Sequence, residues 1–448
     1  MEGRTVVKKN DIFEIEITGM TDDGNGVGRA EGIAVFIPYT IIGEKVKVLI
    51  IKVNKTYAIG KLLEVILPSQ HRTKAECKYF YQCGGCQLWH MDYEAELEYK
   101  YTKVKDCIKR IGNIDIEISP IIFAEKTSRY RNKVQLPISE KGIGFYKKNS
   151  HIVTDIDDCL LQPVFVSNIV SVVRQWMDKF NIEPYNEVTQ KGIIRHLYIR
   201  YGEGGIMVVV VTTTENIPNI IELKNSLIAL DLNITGIALN VNKKNTNVVL
   251  SDKNITIWGN PVIFDNIGDA YFDVSPNSFY QVNKEQTLKL YQTVKRMANV
   301  KNNEILWDIY CGIGTIGQFI AKDAKKVTGI EIVPQAVEDA IKNARKNNLL
   351  NAEYYCGAAE IIGPKLVNKG ERPDVVVLDP PRKGCEENLL DAVAKLKPKR
   401  IVYVSCKPST LARDLKYLKS KGYSPKEIVP VDMFPRTSHV ETVVLLTC

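Results

Sequence analysis

No stretch of this chain approaches the roughly 20 consecutive uncharged apolar residues that a membrane-spanning helix needs, which argues against an integral membrane protein of the helical kind. The first residues, Met1-Glu2-Gly3-Arg4-Thr5-Val6-Val7-Lys8-Lys9, contain no apolar signal core, so secretion is not expected and the expected compartment is cytoplasmic. Internal repeats and low-complexity tracts are absent, which removes solenoids and disordered arrays. A large excess of one charge is also missing. Sixty Lys and Arg stand against 52 acids, and the net charge of +8 permits a polyanionic partner without requiring one. What is present is an ordinary globular composition, 45% hydrophobic and 25% charged, in 448 residues, enough for two to four domains. Ten cysteines in a chain without a signal read as thiols, metal ligands or catalysts rather than disulfides.

Three regions follow from the patterning. Residues 5–68 read as all-β: Phe13 to Ile17 alternates, Thr21 to Gly26 is a turn cluster, and Ile33–Pro38, Glu44–Ile50 and Ala58–Val65 follow as short strands. Strands at this spacing suggest a small closed barrel of the OB type. The pattern Gly24-x-Gly26-x-Gly28, then Val35-Phe36-Ile37-Pro38 and Gly43-Glu44-x-Val46, resembles a TRAM domain, which implies RNA binding. Residues 69–270 form a mixed α+β central region. It holds a cysteine-rich stretch, a charged helix over Tyr93–Ile111 that could belong against the last domain, and a helix over Val166–Phe180. Ile206 to Val211 is a strand, and so is a segment placing Ile193, Arg195, Leu197 and Ile199 on one face. From residue 271 to 448 a helix over Lys284–Asn299 leads into strands at Glu304–Ile309, Lys326–Ile332, Asp374–Leu378, Arg400–Ser405, Glu427–Met433 and Thr442–Leu446, with helical segments between most of them. That alternation predicts a mostly parallel sheet covered on both faces, an α/β fold.

The first strand of that sheet runs into Tyr310-Cys311-Gly312-Ile313-Gly314-Thr315, and Glu331 ends the second. Glycines at a strand's C-terminal end let a ligand approach the backbone, and an acid on the next strand can accept hydrogen bonds from both hydroxyls of a ribose. A dinucleotide would use a similar layout. Asp308 ahead of the glycines, and the absence of a third glycine at dinucleotide spacing, favour S-adenosylmethionine and a Rossmann-like class I methyltransferase domain. Cys311 reads as a small packing residue.

Two further strands deliver chemistry to the same edge. Val375 to Leu378 brings Asp379-Pro380-Pro381-Arg382, and Ile401 to Ser405 brings Cys406, with Lys407 and a helix N-terminus beside it to favour the thiolate. Carbon 5 of uracil is too weak a nucleophile to attack a sulfonium methyl directly. A thiolate adding to carbon 6 makes carbon 5 nucleophilic, and a base must afterwards take the carbon 5 proton. Glu441, at the head of the last strand, could be that base or a plain exposed acid. Asp379-Pro380-Pro381-Arg382-Lys383-Gly384, Ser405-Cys406-x-Pro408-x-Thr410-x-Ala412-Arg413-Asp414, His439-Val440-Glu441-Thr442-Val443 and Phe279-Tyr280-Gln281-Val282-Asn283 together resemble the RNA 5-methyluridine methyltransferases. The resemblance implies Cys406 as nucleophile and Glu441 as proton acceptor. It also implies Gln281, Tyr310, Gly312, Gly314, Glu331 and Asp379 around S-adenosylmethionine.

Cys77-x5-Cys83-x2-Cys86, with Cys159 far downstream, suggests a metal, and spacing alone leaves zinc and an iron–sulfur cluster open. Radical chemistry on S-adenosylmethionine does not fit, since its motif needs Cys-x3-Cys-x2-Cys. The ribosomal branch of the resembled family carries a [4Fe–4S] cluster on this pattern. That branch implies 23S ribosomal RNA as the partner, methylated at a single-stranded or loop uridine, with no DNA and a monomer by default. Tyr130, Arg131 and Lys133, an aromatic interleaved with cations, are candidate RNA contacts. The alternatives are a transfer-RNA uridine methyltransferase, a 5-methylcytidine methyltransferase and a non-catalytic iron–sulfur RNA-binding protein. The cytidine enzymes carry a second cysteine beside the prolines, where Arg382 stands here.

Overall fold

The computed structural model describes residues 7–448, so residues 5 and 6 of the expected barrel lie outside the described residues. The N-terminal sheet has six strands in the order Ile12–Glu16, Lys45–Val53, Tyr57–Leu67, Ile33–Ile37, Gly26–Ala30, Gly19–Met20. Its inward residues, among them Ile15, Val35, Ile37, Val46, Val48 and Ile50, form one apolar core. The sheet curls until its first strand approaches the strand Gly26–Ala30, which the turn-rich sequence had concealed. A Cβ on Gly28 would stand 2.5 Å from the Glu16 carbonyl, and one on Gly26 would strike Thr40, so the glycines serve closure rather than a turn.

The central sheet has seven strands, ordered Asn254–Gly259, Ile234–Val241, Gly205–Thr212, Ile194–Gly202, Lys133–Ser139, Gly142–Tyr146, Val153–Asp155. Helices Phe165–Phe180 and Ile220–Ile228 cover one face through Val166, Ile169, Val173, Leu223 and Leu227. The expected single-faced row 193–195–197–199 is broken by a bulge between Ile194 and His196. Ile194 joins Leu197 and Ile199 in the apolar layer, while Arg195 donates to the carbonyls of Asn242 (3.0 Å) and Lys244 (2.7 Å).

The last sheet contains β1 (Ile305–Ile309), β2 (Lys326–Glu331), β3 (Ala352–Cys356), β4 (Val375–Leu378), β5 (Arg400–Ser405), β6 (Ser424–Val431) and β7 (Glu441–Thr447). Their order is β3-β2-β1-β4-β5-β7-β6, with β1 to β5 parallel and β7 antiparallel to both neighbours. The order reverses at β1, the topological switch point where open α/β sheets bind ligands outside the strands' carboxyl ends. Val376, Leu378, Ile401 and Tyr403 face one apolar layer and Val375, Val377, Val402 and Val404 the other. The helix Tyr93–Arg110 places Val104 and Ile108 in the first of these layers, beside Leu411 and Leu415. Among the described residues no helix is long and apolar enough to cross a membrane.

Candidate active site and cysteine cavity

The β1 loop is bent by three residues at positive φ, Tyr310 (65°), Gly312 (55°) and Gly314 (81°), which turn it back over the end of β2. A Cβ on Gly314 would meet Gln318 and Tyr354 at 2.7 Å, whereas one on Gly312 would meet open space. Gly312 thus keeps its backbone bare toward the cleft. Its amide donates to Glu331 Oε2 (3.1 Å), while Oε1 accepts from the amides of Ile332 (2.8 Å) and Val333 (2.9 Å). Those bonds fix the carboxylate at the cleft and leave an acceptor position on Oε2 for a hydroxyl donor. Ile332, 64% exposed, offers an apolar surface beside it that the sequence reading did not single out. Asp308 Oδ2 accepts from the Gly317 amide (2.8 Å), and Oδ1 is buried without a partner.

Asp379 leaves β4 with its amide directed at the Ile309 carbonyl (3.4 Å). Ser405 pairs with Thr442 across β5 and β7, so Cys406 and Glu441, each one residue further out, meet at the same edge. Burial pushes Glu441 up to about 8, with Asp379 adding to the rise and Arg382 opposing it. Burial likewise raises Asp379 and Asp308 to about 7. The Cys406 thiol is pushed up to about 11, first by burial and then by Glu441. Burial and the neighbouring Glu441 thus work against the expected thiolate. Lys407 is exposed, and the cation that draws the thiol down is Arg382. Residues 380–385 are latched from the helix Pro408–Ser420: Arg413 Nη2 donates to the Lys383 carbonyl (2.9 Å), Asp414 accepts from the Cys385 amide (2.9 Å) and the Tyr403 hydroxyl (2.6 Å), and Thr410 donates to the Arg382 carbonyl (3.2 Å). The Thr410-x-x-Arg413-Asp414 spacing is accounted for by that latch. Gln281 is buried just ahead of the helix Lys284–Ala298, its carbonyl accepting from Asn132 Nδ2 (3.1 Å).

Residues 92–448 match the tRNA (uracil-5-)-methyltransferase family profile, and residues 6–63 match the TRAM domain. The chain belongs to the tRNA (uracil-5-)-methyltransferase family. It is 46% identical to an uncharacterized RNA methyltransferase of Clostridium acetobutylicum, across 100% of this chain and 99% of that one. A second relative, from Halalkalibacterium halodurans and also named an uncharacterized RNA methyltransferase, is 44% identical over 98% of each chain. Among solved structures, the Pyrococcus abyssi tRNA (uracil-54, C5)-methyltransferase in complex with S-adenosyl-L-homocysteine superposes with a TM-score of 0.78 at 30% identity, covering 97% of this chain and 99% of that one. Because that tRNA enzyme spans nearly this whole chain, an N-terminal barrel and central region do not separate ribosomal from transfer-RNA enzymes.

In this chain the four expected metal ligands come together. Cys77, Cys83, Cys86 and Cys159 line a single cavity of about 80 Å³, with Phe80, Trp89, Arg131 and Leu161 completing the wall. Among the described residues no three His, Cys, Asp or Glu close around a point tightly enough for a single metal ion. Burial raises the Cys83 thiol to about 11 and drives Cys86 higher still, the neighbouring thiols adding to each rise. Beside them Trp89 Nε1 and Arg131 Nε are buried donors without partners.

This cavity is fastened to the residues that enter β7. The amides of Gln87 (3.1 Å) and Leu88 (3.2 Å) donate to the Arg436 carbonyl, and the Gln87 side chain accepts from the Ser438 amide (3.3 Å). The Arg436 guanidinium lies 4.8 Å over Trp89. Lys100, fully buried, donates to Glu96 (2.7 Å), Asp432 (2.6 Å) and the Phe434 carbonyl (3.2 Å). The Tyr130 hydroxyl donates to the Pro435 carbonyl (2.9 Å), and Arg131 lies over Phe434 (5.8 Å). Tyr130 is buried, so the expected stacking of an RNA base on its ring is not available, and Arg131 is turned into the wall of the cysteine cavity. Of the three candidate RNA contacts Arg131 and Lys133 keep partial exposure, Arg131 against the cavity wall.

Proposed function

We propose that this enzyme methylates carbon 5 of a uridine in 23S ribosomal RNA, with S-adenosylmethionine supplying the methyl group, Cys406 as nucleophile and Glu441 as proton acceptor. The observation carrying the reading is the meeting of Cys406 and Glu441 across β5 and β7, beside Asp379 and the β1 loop. Gln281, Tyr310, Gly312, Gly314, Glu331 and Asp379 line the cofactor site in this reading. Asp308, Glu331, Asp379 and Glu441 crowd a cleft with Arg382 as the one cation that bears on Glu441 and Cys406. A cationic sulfonium complements such a cleft and lowers the proton affinity of both the acids and the thiol.

The Cys406 thiolate then adds to carbon 6 of the uracil, and the electron pair moves to the carbon 4 carbonyl oxygen as an enolate. The enolate returns its pair through carbon 5, which takes the methyl group as the sulfonium's sulfur–methyl bond breaks, with S-adenosylhomocysteine as the leaving group. Glu441 removes the carbon 5 proton, the carbon 5–carbon 6 double bond re-forms, and the Cys406 sulfur leaves. In this reading Cys77, Cys83, Cys86 and Cys159, which line one cavity, would hold a [4Fe–4S] cluster. No step of the methylation needs its electrons, and its role is to hold the loop that grips residues 434–438.

A second reading, with transfer RNA as substrate, is favoured by the full-length likeness to the Pyrococcus abyssi tRNA enzyme. The test is incubation with tritiated S-adenosylmethionine and unmodified 23S RNA or tRNA, followed by nucleoside analysis. Labelled 5-methyluridine in 23S RNA, lost in Cys406→Ala, is the expected result. Label in tRNA alone would select the second reading, and 5-methylcytidine or no label would overturn both.

A further inference from the structure

The face of the central sheet that packs on the hairpin of strands Ile263–Ile267 and Ala270–Val274 holds cations without acids. Lys133 and Arg200 are register partners on adjacent antiparallel strands, a placement in which like charges repel. Arg200 is 1% exposed. Its Nε donates to the Tyr198 hydroxyl (2.8 Å) and its Nη2 to the Ser278 carbonyl (3.2 Å), while Nη1 has no partner. Arg131, two residues before Lys133, leaves its Nε unpartnered. None of the three is in an ion pair among the described residues, although this chain pairs most of its other buried charges, as at Lys100 and Arg72. The charges acting on Lys133 are Arg200 and Arg131, and with burial they bring its ammonium down to about 8. The nearest buried acid on the hairpin, Asp265, is taken by Lys284 (2.8 Å).

A buried guanidinium with a free donor beside an unpaired lysine costs stability unless an anion completes it. The place of this pair decides which anion. Arg200 holds the Ser278 carbonyl and lies 6.0 Å from the Tyr280 ring, and the Arg131–Asn132 backbone joins Val282 and Asn283. The pair therefore sits behind the segment 278–283, whose Phe279 is 66% exposed and whose Gln281 belongs to the proposed cofactor site. Lys133, partly exposed, forms the open side.

We propose that Lys133 and Arg200 form a phosphate-binding site that takes one phosphodiester of the substrate RNA, next to the nucleotide being methylated, with Arg131 adding to its positive field. The assignment rests on the RNA-methylating reading of the active edge. It gives two cations on neighbouring strands a function that the fold alone does not explain. A phosphate held by rigid strands fixes the register of the chain entering the cleft, which is what phosphate contacts do in nucleic-acid complexes.

The test uses the full-length protein and single-stranded oligouridylate, with binding measured across a salt series. Lys133→Gln is the primary variant because its side chain is half-buried; Arg200→Gln is read only if its thermal unfolding stays cooperative. Loss of one phosphate contact should weaken oligouridylate binding roughly tenfold at low salt and reduce the slope of log Kd against log salt by about 0.7 to 1. Affinity for S-adenosylhomocysteine should stay unchanged. An unaltered salt slope in Lys133→Gln would overturn the site. Weakened S-adenosylhomocysteine binding with an unaltered slope would also overturn it, since the anion served would then be the cofactor's carboxylate. These outcomes are independent of turnover, so a wild-type protein that binds RNA but forms no 5-methyluridine would defeat the functional reading and leave the site standing.

Discussion

At the scale of single residues the active edge depends on burial. Burial raises Glu441 to about 8 and Cys406 to about 11, yet the chemistry needs both as anions. Cys406→Ala should abolish 5-methyluridine formation. Glu441→Gln should lower kcat by about 10² to 10⁴ and leave the methylated adduct unresolved, seen as a protein–RNA species surviving on a denaturing gel. If Glu441→Gln turns over without accumulating that species, the proton acceptor lies elsewhere. The same acids set a stability trend. Asp308, Asp379 and Glu441 bind protons more tightly folded, at about 7, 7 and 8, than unfolded at about 4. Folded-state pKa values raised in this way contribute stability that is complete below pH 4 and lost as pH climbs toward 8. Their contribution to the melting temperature of the ligand-free protein should therefore fall across that window. Asp379→Asn and Glu441→Gln should each flatten the fall, and an unchanged profile in both would show that these carboxyls titrate normally.

At the scale of elements, the pieces that carry chemistry were the most legible. Four strand tips bearing Glu331, Asp379, Cys406 and Glu441 could be placed because strands buried on both faces read as apolar runs and their ligand-facing ends carry polar residues. The edge strand β3, Ala-Glu-Tyr-Tyr-Cys, escaped because it is half-exposed and has no alternation. The barrel strand Gly26–Ala30 escaped because its glycines, which the close approach of the first strand demands, look like a turn. What the sequence could not disclose was that Tyr130 and Arg131 point inward. Their partners, Pro435 and Phe434, are some 300 residues away, and no local pattern encodes such a contact. The helix Tyr93–Arg110 illustrates the same limit. Its charged surface hides Lys100, which is buried between Glu96 and Asp432. Lys100→Met should destabilise the protein by about 3–5 kcal/mol in urea unfolding, because it strands two buried carboxylates. A loss under 1 kcal/mol would mean that Glu96 and Asp432 take up a proton at little cost.

At the scale of the whole molecule, the proposed metal site and the proposed base belong to one mechanical unit. The loop carrying Cys83 and Cys86 ends at Gln87 and Leu88, which hold the Arg436 carbonyl and the Ser438 amide, and three residues beyond Ser438 the chain reaches Glu441. The cofactor loop at β1 shares none of these bonds. Removing a cysteine ligand should accordingly separate two properties that loss of the active site would remove together. Protein purified without oxygen should carry iron and acid-labile sulfide, both lost in Cys86→Ser. That variant should bind S-adenosylhomocysteine with wild-type affinity, melt at a lower temperature and methylate RNA with reduced kcat. Zinc in place of iron in the wild type would replace the cluster with a single-ion site. Unchanged kcat in a metal-free, folded Cys86→Ser would show that residues 434–441 are held well enough from elsewhere, by Tyr130, Glu96, Lys100, Lys103 and Asn283. The second outcome has a structural basis, since Lys100 donates to the Phe434 carbonyl and Asn283 Nδ2 to the Met433 carbonyl (3.1 Å). Those bonds fix the start of the segment, and Glu96 and Lys103 hold the Arg436 amide and the Ser438 carbonyl. The cysteine loop holds the Arg436 carbonyl and the Ser438 amide, and it is there, closest to Glu441, that the loss should be felt.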